Sequence, residues 1–214
     1  MEGQTHPSHG LGQADKAKED LEQEFFSLDF SVHKSRRYHE KLAAFYGSWR
    51  DRMRVVTAIA GSGAFFIVVS GWQHTAEVIT AFVALWAILD IIVMPDKKHD
   101  KHNELCRRFT SLAAKIRRSS STDAALKELM AERLLIEENE PPCKRLVDLE
   151  ARNDEWRSRG YSPDELVPLS GRQRFFGYFV TFGLPRLERW KAERQHHATA
   201  AASSSAATAG TVSP

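Results

Sequence analysis

Val55–Trp72, VVTAIAGSGAFFIVVSGW, and Val78–Leu89, VITAFVALWAIL, are two charge-free apolar stretches separated only by the short polar run Gln73–Glu77. After Asp90 the second continues through IIVM and stops at Pro95-Asp96-Lys97-Lys98. The hydrocarbon core of a bilayer takes about 20 apolar residues per helix, with ~17 the practical lower limit. Spans over 55–72 and 77–94 meet that requirement. The competing explanation, a hairpin buried in a soluble core, needs more apolar surface than the charged remainder of the chain offers. The pattern predicts an all-α protein: a two-span transmembrane helical hairpin over 55–94, with cytoplasmic amphipathic helices forming a bundle or coiled coil.

Charge supplies the topology. Lys34, Arg36, Arg37, Lys41, Arg50, Arg52 and Arg54 precede the first span, and Lys97, Lys98, Lys101, Arg107 and Arg108 follow the second. The connecting loop has neither Lys nor Arg. Lys and Arg are retained on the cytoplasmic side, so both termini are expected inside. Trp49 and Trp72 sit where interfacial anchors belong. The mean hydropathy of −0.42 averages the hairpin against strongly polar flanks. A net charge of +2 gives no case for a nucleic-acid partner. No apolar leader precedes residue 30, so insertion is expected to be driven by the hairpin itself. Cys106 and Cys143 are expected to be free thiols.

Residues 1–13 read as disordered. From Ala14, the positions Leu21, Phe25, Leu28, Val32, Ser35, His39, Leu42, Tyr46, Trp49 and Met53 recur at steps of four and three. That spacing makes 14–54 a cytoplasmic helix packing along a seam and leading into the membrane. Its weakest stretch is Ser27–Ser31. Beyond Pro95 the helical spacing resumes at His102, Leu105, Phe109, Leu112 and Ile116. Thr122 caps a following helix that carries Leu126, Leu129, Met130 and Leu134 and ends at Pro141-Pro142. A further helix, roughly Cys143–Arg159, ends at Gly160, so 95–160 is read as cytoplasmic helices. The region 161–197 is aromatic and basic. Ser170 and Gln173 there fit a capping box, and Phe175–Leu184 is too short to span. Flanked by Arg172, Arg174, Arg186, Arg189 and Lys191, its aromatics suit either a helix at headgroup level or a core docked on the bundle. The Ala/Ser/Thr-rich 198–214 reads as a disordered tail.

Asp90 is the ionisable residue well inside an apolar stretch. A charge at mid-membrane costs about 3 kcal/mol on insertion scales, and less near the interface, where Asp90 lies about one turn from Met94. The matching depth on the first span is near Thr57, a candidate hydrogen-bond partner, and Arg54 is a candidate counter-ion. Asp90 is therefore either part of a carboxylate ring lining an oligomeric cation path or a single satisfied interfacial carboxylate. Gly61, Ser62 and Gly63, with Ala60 and Ala64, form a small-residue patch that lets helix backbones approach closely. His99, His102 and Cys106 share a helix face at metal-ligand spacing, but with no second ligand group they read as a solvated, pH-sensitive juxtamembrane surface. No triad, zinc-hydrolase motif or nucleotide fingerprint occurs, so no catalytic residue, cofactor or metal is assigned and no enzyme is expected.

Several segments taken in order resemble the bacterial SLATT family, the SMODS-and-SLOG-associating two-TM effector proteins. They are Arg37-Tyr38-His39-Glu40 with Lys41 and Phe45, the hairpin, His99–Ile116, and Arg133–Asn153 with Ile136-Glu137 and Glu140-Pro141-Pro142. The resemblance covers about residues 30–160. It implies a homo-oligomeric effector of the bacterial inner membrane that answers a separate nucleotide-signal sensor and perforates the bilayer during phage defence. It transfers no catalytic or ligand residue. The rival is a membrane-anchored helical scaffold or adaptor that forms no pore.

Overall fold

The computed structural model describes the backbone of residues 9–61 and 73–179, and side chains over 15–59 and 81–179. Among these residues every regular element is helical. The chain divides into two compact units, one ending at Pro142 and the other beginning at Cys143.

In the first unit, α1 runs unbroken from His9 to Gly61, 53 residues, about 80 Å at 1.5 Å per residue. It begins before Ala14 and does not break at Ser27–Ser31. There the Ser31 hydroxyl donates back to the Leu28 carbonyl at 2.8 Å, so it competes with no turn of the helix. α2 spans Gln73–Val93 and α3 spans Pro95–Arg118. The expected stop is present: α2 ends at Val93, and Pro95 opens α3 at its first position, where no N–H is needed. A residue before proline avoids the right-handed helical region, and Met94 adopts φ 49°, ψ 57°. Met94 N closes α2 by donating to Asp90 O at 2.9 Å, and Lys98 N donates to Met94 O at 3.2 Å as the first turn of α3. α4 covers Asp123–Glu137, and its cap is the expected one: Thr122 accepts from Ala125 N.

α3 lies antiparallel along α1. Asp96 sits beside Arg50 and Arg54, His99 beside Ala43, and His102 beside His39. The predicted seam is the one used: Leu28, Val32, His39, Leu42, Tyr46 and Met53 are all buried. Leu28 and Val32 meet Leu105, Phe109, Leu112 and Ile116 of α3 and Leu126, Leu129 and Ile136 of α4 in one core. Burying a Leu or Phe side chain contributes roughly 1.5–3 kcal/mol, so this dry core is what holds the three helices. Lys115–Glu132 at 2.7 Å and the bond from Arg133 to Ser31 at 2.8 Å rim it and add little beside the core.

The upper part of unit one is different. None of residues 81–93 is buried, although nearly all are apolar. Phe82, Leu85, Ile88, Ile91 and Ile92, with Val55 and Ile59 of α1, are each at least 53 % exposed. Taken over the described residues, no helix is long and apolar enough to cross a membrane. The expected first span runs past Gly61 into residues outside the description, as do Ser62, Gly63 and Trp72.

In the second unit α5 spans Arg145–Ser158, a 3-10 turn spans Pro163–Glu165, and α6 spans Gly171–Phe176. The expected stop is present at Gly160, whose φ of 84° suits glycine. The Ser170/Gln173 capping box is also formed. The Asn153 amide clamps the loop, donating to Val167 O at 2.8 Å and accepting from Val167 N at 3.0 Å. α6 meets α5 through polar groups: Arg174 donates to Glu150 at 3.0 Å. Phe175 is 67 % exposed, and Phe176 and Phe179 nearly half exposed. The described aromatics of this segment therefore do not form a core.

Candidate functional site

The most concentrated polar chemistry in unit one is a chain of three side chains drawn from three segments. His39, on the seam face of α1, is fully buried, and His102 of α3 is 4 % exposed. Their Nδ1 atoms lie 2.9 Å apart. His39 Nε2 lies 3.0 Å from Glu140 Oε1, a residue held in the turn after α4 by its own N–H to Glu137 O. A carboxylate only accepts, so His39 Nε2–H donates to Glu140. In the neutral ring His39 Nδ1 then accepts, and His102 Nδ1–H donates to it. With His39 neutral, the hydrogen bonds run in one direction along the chain, Glu140 ← His39 ← His102.

Aromatic rings seal the pair. Phe109 stacks on His39 at 5.5 Å and 13°, and Tyr46 stacks on His102 at 5.7 Å and 5°. Tyr38 meets His39 edge-on. Burial pushes the Tyr46 hydroxyl above its ordinary range, keeping that ring neutral, while Lys98 lies 5.5 Å over it. One turn nearer the apolar helices, His99 Nδ1–H donates to the Ala43 carbonyl at 2.8 Å. Gly47 makes room for that ring, because a Cβ there would stand 3.0 Å from His99 Nδ1. This corrects the expectation of a solvated His99–His102–Cys106 surface. His102 points into the seam, His99 is half-buried against α1, and only Cys106 keeps a lateral position.

The arrangement ties α1, α3 and the end of α4 through buried polar groups, each of which would cost about 1–3 kcal/mol if left unmet. With both rings shielded, it is suited to fixing helix register rather than to meeting a substrate. Its register carries upward to Trp49, which stacks on Trp86 of α2 at 6.0 Å and 11°, Phe82 stacking on Trp86 in turn. Trp49, expected as an interfacial anchor, therefore joins α1 to α2.

The other anticipated residues are placed as follows. Asp90 is half-buried. Neither expected partner is bonded to it: Thr57 Oγ1 donates to Met53 O of its own helix at 2.9 Å, and Arg54 Nη2 donates to Asp96 at 3.3 Å. Each has a nearer acceptor in space. A helical Thr reaches the carbonyl four residues back without crossing to another element, and Asp96 opens α3 beside Arg50 and Arg54. Gly61 is the last residue of α1.

The two cysteines differ. Cys106 is half-buried and Cys143 exposed. Burial, with Glu40's negative charge adding to it, raises the Cys106 thiol above its ordinary range. Iodoacetamide at neutral pH is expected to modify Cys143 first, because the thiolate is the nucleophile. Raising the pH should narrow the difference; equal rates at neutral pH would contradict this placement.

No protein-family model matches this chain, and no curated protein and no solved structure is similar to it.

Proposed function

We propose that the chain is a two-span integral membrane protein of the bacterial inner membrane that self-associates through its apolar helices and perturbs the bilayer. In this reading both termini are cytoplasmic, the His39–His102–Glu140 chain holds the register of the helices below the membrane, and a separate sensor protein supplies the trigger. The supporting observation is the uncovered apolar surface of α2 and the end of α1. Seven large side chains there, Val55, Ile59, Phe82, Leu85, Ile88, Ile91 and Ile92, are more than half exposed. At roughly 1.5–3 kcal/mol each, leaving them in water forfeits an amount comparable to the whole net stability of a domain, about 5–15 kcal/mol. A helix apolar on every side belongs inside something, and the bundle does not enclose it.

α2 is 21 residues long, but its apolar run begins only at Val78. With its flanking residues it fills the span 77–94, and Val55–Trp72 forms the other, each at the length a bilayer requires. The exposed phenylalanines of α6, next to Arg172 and Arg174, fit a second contact at headgroup level. One hairpin cannot enclose a pore, so assembly is part of the proposal. The alternative is a membrane-anchored scaffold, favoured by Thr57 and Arg54 being engaged elsewhere than at Asp90. Expression with a membrane-potential dye separates the two: hairpin-dependent depolarisation supports the effector, and an undisturbed potential at high expression supports the anchor.

A further inference from the structure

A cleft of about 480 Å³ opens between α1 and α3 on the side of the bundle, lined by His33, Arg36, Thr110, Ala113, Ala114, Arg117 and Arg118. Three of these seven residues are arginines, one is a histidine, and none is a carboxylate. Two alanines, Ala113 and Ala114, complete the lining. Arg36 is ion-paired with Glu40 at 4.0 Å and His33 with Asp29 at 3.4 Å, both carboxylates lying outside the lining. Arg117 and Arg118 have no ion-pair partner among the described residues. The Arg36 Nε–H is buried with no acceptor. Thr110 contributes no free donor, since its hydroxyl already donates to Cys106 O at 2.7 Å.

Guanidinium groups around a cavity present paired donors in the geometry that phosphate oxygens accept. With Arg36 offset by Glu40, Arg117 and Arg118 still leave two positive charges, which one monovalent anion does not balance. The geometry points to a binding site for a small organic phosphate bearing two or more negative charges. The volume falls within the range of small-molecule sites and exceeds what bare phosphate fills. A lipid headgroup is out of reach on the membrane reading: Thr110 to Arg118 lie about 22–35 Å along α3 from Pro95, against a headgroup layer of roughly 5–8 Å on each side. The charge pattern itself does not depend on that reading. Because the ligand bridges α1 to α3, binding would reinforce the same seam that the histidine chain fastens.

The test uses the full chain in detergent micelles, with thermal unfolding followed against sodium pyrophosphate and against sodium chloride at matched ionic strength. The expected result is a saturable rise in the midpoint with pyrophosphate only. The double variant Arg117→Gln/Arg118→Gln, whose two positions are exposed and outside the core, should weaken the apparent affinity by about tenfold or more. Arg36→Gln should do the same. Equal responses to the two salts, or a pyrophosphate response unchanged in the Arg117/Arg118 variant, would overturn the assignment. Membrane association is read separately, by fractionation, so failure here leaves the membrane reading untouched.

Discussion

Replacing His39 with alanine is expected to destabilise the helical bundle by about 3–5 kcal/mol, lowering its melting midpoint by roughly 6–20 °C. Three losses combine. A ring that fills fully buried space disappears from beneath Phe109. His102 Nδ1–H loses the acceptor 2.9 Å away. Glu140 loses its donor at 3.0 Å. The series around this position apportions the effect. His39→Phe restores volume and stacking but not the hydrogen bonds, and should recover part of the loss. Glu140→Gln keeps an acceptor and removes a charge on a side chain that is 25 % exposed, so it should cost about 1 kcal/mol. A melting curve for His39→Ala within a degree or two of the parent would show that the buried chain does not fasten the seam.

Arginine at both Leu85 and Ile88 is expected to strip the chain from membranes. The two positions lie on one face of α2 and are 56 % and 53 % exposed, so substitution removes little packing from the bundle. On insertion scales an arginine near a helix centre is about 3 kcal/mol less favourable than leucine or isoleucine. Two together amount to about 6 kcal/mol, roughly four orders of magnitude in partition. Membrane fractions should lose the variant while its helical bundle melts as before. Were α2 merely a solvent-exposed helix, the same change would raise solubility and leave the distribution between fractions unaltered.

The seam of α1 is legible in the sequence because heptad-like spacing of Leu28, Val32, Leu42, Tyr46 and Met53 is a local property. The Thr122 cap, the Gly160 stop and the Ser170/Gln173 box are equally local, and all three are formed. The histidine chain is not local: its members pair across 63 and 101 positions, and no periodicity reports a partner at that range. One signal was present. His102 occupies the same helical face as Leu105, Phe109, Leu112 and Ile116, and that register, rather than the charged residues beside it, decides its burial. Trp86 was hidden for the opposite reason, since within an apolar run no pattern distinguishes a packed ring from an uncovered one. The partners assigned to Asp90 failed because depth matching across a hairpin ignores nearer acceptors, namely the Met53 carbonyl for Thr57 and Asp96 for Arg54.

The most direct measurement is extraction of wild-type membranes with alkaline carbonate, followed by flotation on a density gradient. Integral insertion of the 55–94 hairpin predicts that the chain resists extraction, floats with lipid, and is released only by detergent. Recovery in the carbonate supernatant would contradict it, and the uncovered apolar helices would then have to be buried against another protein.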